Sequence, residues 1–414
     1  MATEARPPLS SVLPPLIFGT TTFNYLYNED PYELNADALV HRALEHGVRA
    51  FDTSPYYGPS EEILGAALAA VNHKWPRETL HVNTKVGRIA ADRFDYSRDW
   101  VKQSVQHSLR RLRTNYLDLV FCHDVEFVSE SEVLDAVAEL RRMRDDGVIR
   151  YIGISGYPLS VLASIARRVL RETGEPLDAV MSYAHFTLQN TMLATVGIKQ
   201  FQAAGVDVVL NGSPLGMGLL RREGVPVGSM GDWHPACNKL RAAVKRASDF
   251  CDVYDERLEV IAIRYSLEQW VLRGAVVGSY GDPASGVPNR RLSHDRSQRL
   301  GVSLMGISKI SELDKTLKVW RSILDGLEDG EETARRAGRW SRDHEWSLNR
   351  RRAIEILADG IREYLDEFID YSWPSPPVGF VNQAASLSAE LPTPAMSLPR
   401  DDAPREEGKA LPLR

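Results

Sequence analysis

Cysteine is scarce in this 414-residue chain: Cys122, Cys237 and Cys251 form no CxxC pair and no metal-ligand spacing. That excludes a disulfide scaffold and a zinc module, and an odd count reads as reduced thiols, which points to the cytoplasm. A basic excess is also missing. Fifty Lys and Arg stand against 56 Asp and Glu, a net charge of -6, which argues against nucleic-acid partners that need a basic footprint. No window approaches the roughly 18 apolar residues of a membrane span. The opening "MATEARPPLSSVLPPL" lacks a basic segment followed by an apolar core, so it does not read as a secretory signal. The turn after the first apolar run, "FGTTTFNYL" (18–26), has no GxGxxG, the fingerprint of a doubly wound dinucleotide fold. No internal repeat is visible.

What is present is an apolar content of 43% with 26% charge, enough for a sizeable core in a soluble globular chain. From about residue 14 to 325 short apolar runs alternate with amphipathic segments. The runs are 15–20, 48–54, 80–87, 117–124, 149–156, 177–183 and 206–214, with helices expected at 35–47, 60–71, 99–112, 131–147, 158–171 and 191–203. Ser60 is placed to cap the second helix, with Glu61 and Glu62 in its first turn. Gly47 and Gly147 are placed as stops. Further helices are expected at about 236–247, 253–272 and 311–324, and the eighth strand lies in either 274–280 or 302–308.

Repeated strand–helix units with short connections mean a parallel sheet. Polar residues recur where the runs end: Asp52, Lys85, His123, Ser155 and Ser213. A closed barrel builds its active site there, so the expected fold is an α/β (β/α)8 TIM-type barrel. It spans 14–325, with a C-terminal helical extension at 326–382 that contains a helix at 348–369; a tail from 383 to 414 lacks aromatics and is expected to be disordered. The Gly/Pro-rich loop 218–237 is long enough to be functional, and the polar insert 281–301 has no assigned role.

Asp52, Tyr57, Lys85 and His123 sit at or just past the ends of three successive strands, so a closed barrel gathers them on one rim. A Lys beside a tyrosine favours phenolate, an Asp holds the Lys charged, and a His orients a substrate oxygen. Together they move a proton to or from a carbonyl or alcohol oxygen. If hydride moves at the same time, a nicotinamide carries it.

"FDTSPYYG" (51–58), "NTKVG" (83–87), "YLDLVFCHD" (116–124) and "GVIRYIGIS" (147–155) resemble, in order and spacing, the signature blocks of the aldo-keto reductases. The resemblance covers about 14 to 324 and implies a barrel using NAD or NADP. It places the catalytic tetrad on Asp52, Tyr57, Lys85 and His123, with Tyr57 rather than Tyr56 as the proton acceptor. "NGSPLGMGLL", "WHPA", "GISGYP", "SYAHF" and "DYSWPSPP" are similar to the sugar-oxidising branch of the family. Cofactor contacts are implied at Thr20, Thr21, Asp52, Ser155, Ser213, Leu215, Gly216, Ser308, Lys309 and Glu312. Sugar contacts are implied at Tyr57, His123, Trp233 and His234. No metal is implied. Three positions depart from the family pattern: Gly156 replaces an Asn, the expected strand-six Gln falls on Val180, and Gly212 replaces an aromatic. Ser182 or His185 are offered as substitute polar contacts. The implied activity is oxidation of a small-molecule sugar, such as D-arabinose, at its anomeric carbon to the lactone, by a monomer or small homo-oligomer. Reduction of aldehydes or ketones with NADPH, or a non-catalytic barrel serving as a regulatory subunit, are the alternatives.

Overall fold

The computed structural model describes residues 6–226, 231–284, 298–327 and 342–386. The residues 387–414 of the expected disordered tail, 285–297 of the polar insert and 328–341 of the C-terminal extension lie outside them.

Side chains of a strand alternate between faces, and in a barrel the two faces meet different neighbours. Eight parallel strands close in sequence order: β1 (Leu16–Gly19), β2 (Ala50–Asp52), β3 (His81–Val86), β4 (Leu117–His123), β5 (Ile149–Gly156), β6 (Ala179–Tyr183), β7 (Val208–Gly212) and β8 (Val302–Gly306). Of the two candidates for the last strand, 302–308 contains it, and β8 closes the ring by pairing with β1. Gly274–Val277 is instead a short 3-10 turn. The inner core holds Ile17, Ala50, Leu119, Phe121, Tyr151, Ala179, Met181, Val208, Leu210, Val302 and Leu304. The residues between them, such as Phe18, Phe51, Val82, Val120, Ile152 and Val180, pack against the helices. The parity that buries this inner core brings Asp52, Lys85, His123, Ser155 and Gly212 to the inward side at the C-terminal strand ends.

The helices are α1 (Ala36–Glu45), α2 (Ser60–Val71), α3 (Arg98–Arg111), α4 (Glu130–Asp145), α5 (Leu159–Thr173), α6 (Ile198–Ala203), α7 (Asn238–Val253), α8 (Leu258–Arg273), α9 (Ile310–Asp325) and α10 (Arg342–Leu365). Ser129 and Glu132 form a capping box at the start of α4. Gly47 and Gly147 follow their helices with φ of 88° and 78°, which suits glycine. Ser60 differs from its expected role. It is the first helical residue rather than a cap, and its hydroxyl bonds Thr20 O at 3.0 Å while lying 2.6 Å from Thr20 Oγ1 and 2.9 Å from Thr53 Oγ1. It ties β1, the end of β2 and α2 together beneath the site. Glu61 is buried for a related reason: Thr84 Oγ1 donates to it at 2.6 Å and Arg111 lies 3.3 Å away.

The C-terminal helix begins at Arg342, earlier than its amphipathic pattern suggested, and ends at Leu365. Ile354, Leu357, Ala358, Ile361 and Leu365 join the residues of α7 and α8 in a second core. Each such Ile or Leu side chain, fully buried, stabilises by about 1.5–3 kcal/mol. The chain then turns back over the barrel mouth. Thr191 N–H donates to Asp370 at 2.6 Å, and Asn382 exchanges two 2.9 Å hydrogen bonds with the backbone of Phe94. Between these anchors Trp373 stacks on Tyr157 at 4.7 Å and 11°.

Candidate active site

At the C-terminal ends of the strands lies a cavity of about 1250 Å³, larger than the roughly 300–1000 Å³ of an ordinary small-molecule pocket. Asp52, Tyr57, Lys85 and His123 all line it. The Lys85 ammonium bonds Asp52 Oδ1 at 2.5 Å and Thr53 O at 2.9 Å, and lies 4.8 Å from the centre of the Tyr57 ring. The Tyr57 and His123 rings meet edge to face at 5.7 Å and 88°. Three neighbouring strand ends, those of β2, β3 and β4, therefore deliver one proton-handling cluster.

Its electrostatics follow from burial. Burial works against the Lys85 charge, but Asp52 and Tyr57 outweigh it and raise the pKa, so the ammonium is held charged. Burial likewise pushes Tyr57 up, and although Lys85 and a hydrogen bond with Thr21 pull it down, the net direction is upward. The lowering expected from Lys85 is thus present but smaller than the desolvation of phenolate. Burial drives His123 down to about 3, against the opposing pull of Asp124, so its imidazole is neutral.

His123 is also held at its second ring nitrogen. Ser54 Oγ accepts the Tyr56 N–H at 3.1 Å and lies 3.1 Å from His123 Nδ1. With the serine hydroxyl as donor to Nδ1, the imidazole proton sits on Nε2.

Beside this cluster sit residues that the sequence did not single out. Asp124 pairs with Arg88, and its carboxylate is 3.6 Å from His123 Nε2. Arg88 also donates to Tyr56 OH at 3.0 Å and covers the Tyr56 ring at 3.9 Å. Tyr56 therefore lines the cavity as a partner of Arg88, while Tyr57 faces Lys85. Trp373, Pro374, Ser375, Pro377 and Phe380 of the C-terminal segment complete the wall. The "CHD" run and the aromatic in "DYSWPSPP" carried a signal for these contacts, but their distance in sequence hid the contact between them.

Of the implied cofactor residues, Thr21, Asp52, Ser155, Ser213, Leu215, Ser308, Lys309 and Glu312 line the cavity, as does Trp233. Thr20 does not: its hydroxyl is taken by Asp52 O and Ser60. Gly216 lies behind the lining, its carbonyl 2.9 Å from His234 Nε2. His234 is likewise not among the residues lining the cavity. Ala236 N–H donates to its Nδ1 at 3.1 Å, so both ring nitrogens pin the loop. Ser182 and His185 lie 3.3 Å apart, and His185 Nε2 is 3.2 Å from Ser372 Oγ, so this pair is engaged with the C-terminal segment.

The three departures also have a structural setting. Val180 packs among the helices, and Met181 is the β6 residue that faces the cavity. Strand parity thus removes Val180 as the carboxamide position. A Cβ on Gly156 would lie 2.4 Å from Glu126 Oε2, so the Glu126 carboxylate occupies that space. Glu126 accepts from Tyr157 N–H at 3.0 Å and Ser375 Oγ at 2.9 Å, and burial pushes its pKa up to about 8. Gly212 lies in the wall beside Tyr183, whose Cβ would be 3.4 Å from a Cβ at 212.

The residues present suit a dinucleotide. The cavity runs from the tetrad past Ser213 and Leu215 to Ser308, Lys309 and Glu312 at the start of α9. There Glu312 accepts the backbone N–H groups of Ser308 and Lys309 at 2.9 and 3.2 Å, holding the turn that presents the Lys309 cation. The hydroxyls of Thr21, Ser155 and Ser213 alternate with apolar Met181, Leu215 and Leu304. Among the described residues no cluster of His, Cys, Asp or Glu could hold a metal ion, and no helix is long and apolar enough to cross a membrane.

Comparison with known proteins agrees with this geometry. The chain is 40% identical over 265 residues to D-arabinose 1-dehydrogenase of Saccharomyces cerevisiae, covering 64% of this chain and 78% of that one. It is 35% identical over 249 residues to L-galactose dehydrogenase of Arabidopsis thaliana, covering 59% of this chain and 74% of the other. The solved glycerol dehydrogenase of Gluconobacter oxydans superposes with a TM-score of 0.55 at 19% identity, over 91% of this chain and 99% of its own, a likeness of fold. The sequence model of the aldo/keto reductase family matches residues 15–326. With that match and the closed barrel beneath it, the chain belongs to the aldo/keto reductase family and is an oxidoreductase acting on CH–OH groups.

Proposed function

We propose that the protein is an aldose 1-dehydrogenase that uses NAD or NADP to oxidise the anomeric carbon of a sugar such as D-arabinose to its lactone. The observation that carries this reading is the meeting of Tyr57, Lys85, Asp52 and His123 on the wall of one cavity of about 1250 Å³. The identity to sugar dehydrogenases supports the substrate class.

Bound along Thr21, Ser155, Ser213, Leu215, Ser308, Lys309 and Glu312, a nicotinamide dinucleotide supplies the acceptor for the hydride that leaves C1. The protein supplies the proton chemistry. Tyr57 in its phenolate form takes the proton of the C1 hydroxyl, and the loss of that proton and a hydride from C1 leaves the lactone carbonyl. Lys85 stabilises the phenolate by charge, and Asp52 fixes Lys85 through the 2.5 Å contact. His123, neutral with its proton on Nε2, donates to the C1 oxygen and orients it. Trp233 on the 218–237 loop lines the same cavity and supplies an apolar wall for the sugar.

A panel of aldoses assayed with NAD⁺ and NADP⁺ at alkaline pH, following reduced nicotinamide, tests this reading. Turnover of D-arabinose above simple alcohols is the expected result. Activity confined to NADPH-dependent reduction of simple aldehydes would contradict it.

A further inference from the structure

Asp124 directly follows the strand-end His123 and adopts the left-handed conformation, φ 56° and ψ 60°, a backbone state that Asp and Asn tolerate better than most residues. This turn keeps its carboxylate at the cavity wall instead of releasing it to solvent: the residue is 2% exposed. Arg88 pairs with it from the segment after β3. Arg88 is itself held in place, its guanidinium 3.9 Å over the Tyr56 ring and bonded to Tyr56 OH at 3.0 Å. Burial opposes the Asp124 charge, but the charge and hydrogen bond of Arg88 hold its pKa below the usual carboxylate value. The result is a fixed, ionised carboxylate with an oxygen 3.6 Å from His123 Nε2, the atom to which the proposed function gives the reacting oxygen.

An ionised carboxylate accepts hydrogen bonds and cannot donate them. Next to the reacting oxygen it therefore suits a hydroxyl on the neighbouring carbon. A substrate without that hydroxyl leaves the acceptor capacity of the carboxylate that Arg88 does not use without a donor, a situation in which polar sites discriminate.

Building on the sugar-oxidation reading, we infer that Asp124, held by Arg88, is a specificity-determining subsite that accepts the 2-hydroxyl of the aldose and so selects polyhydroxylated substrates over deoxy sugars and simple carbonyl compounds.

The test is calorimetric titration of the NADH-loaded protein, in which no turnover occurs, with D-arabinose and with its 2-deoxy counterpart. The wild-type protein is expected to bind D-arabinose on the order of tenfold or more tightly than the deoxy sugar. Asp124→Asn keeps a residue suited to the left-handed turn, and in it that ratio is expected to fall toward unity. Equal wild-type affinities, no binding of either sugar, or an undiminished ratio in Asp124→Asn would overturn the subsite. A parallel assay with NAD⁺ separates the two claims. Discrimination in binding without production of reduced nicotinamide would leave the subsite standing and sink the oxidation reading.

Discussion

The hydroxyl of Ser54 lies 3.1 Å from Nδ1 of His123, so the proton of that hydroxyl bears on which imidazole nitrogen carries its own. Ser54 also accepts the Tyr56 N–H, and the proposed mechanism has its proton donated to Nδ1, which gives the Nε2–H tautomer. Ser54→Ala removes this preference while leaving the ring in place. We expect kcat to fall on the order of tenfold, equivalent to about 1.4 kcal/mol, with dinucleotide affinity unchanged. Nitrogen NMR of labelled histidine should read a single Nε2–H form in the wild type and a mixture in the variant. One tautomer in both proteins would contradict the role given to Ser54.

Lys85 is the group that opposes burial of the Tyr57 phenolate. In Lys85→Met the attraction is lost and desolvation remains, so the Tyr57 pKa should rise further. The rate of sugar oxidation requires the deprotonated phenol, so it increases with pH, and in the variant that increase should shift to higher pH with kcat reduced throughout. A superimposable pH–rate profile would show that Lys85 does not govern the base.

His123 is held down to about 3 by burial. Its neutral form is thus already complete at pH 5, and it gives no inflection between pH 5 and 8. The profile of kcat/KM for oxidation is expected to show one rising limb, from the tyrosine. An inflection near 6.5 that vanishes in His123→Gln would contradict the neutral assignment.

Trp373 joins the C-terminal segment to the barrel by its stack on Tyr157 and also lines the cavity. Trp373→Ala should lower stability by about 3 kcal/mol, seen as a lower Tm, and raise KM for sugar more than KM for the dinucleotide. An unchanged sugar KM would limit the segment to a structural role.

Much of this was legible in the sequence for a physical reason: strand parity and strand ends are local properties. The alternation in "NTKVG" and "LVFCHD" brings Lys85 and His123 to the inward face whatever the helices do. Where parity was misjudged, at Val180, the structure shows the inward residue one position on, at Met181. Ser60 was misread because a hydroxyl before an amphipathic run looks like a cap, whereas Thr20 and Thr53, distant in sequence, claim it. The position of His234 outside the cavity lining was not legible because its carbonyl partner, Gly216, lies across a loop whose path no periodicity encodes. The pairings of Arg88 with Asp124 and of Glu126 with Ser375 join separate segments, and such pairings leave no mark in a single sequence.

The central claim is tested most directly by following reduced nicotinamide from D-arabinose and NAD⁺ or NADP⁺ at alkaline pH, comparing wild type with Tyr57→Phe and measuring dinucleotide binding by fluorescence in both. The account predicts turnover in the wild type and its abolition in Tyr57→Phe, with binding of the dinucleotide retained. Near wild-type oxidation by Tyr57→Phe, or none by the wild type across aldoses, would contradict it.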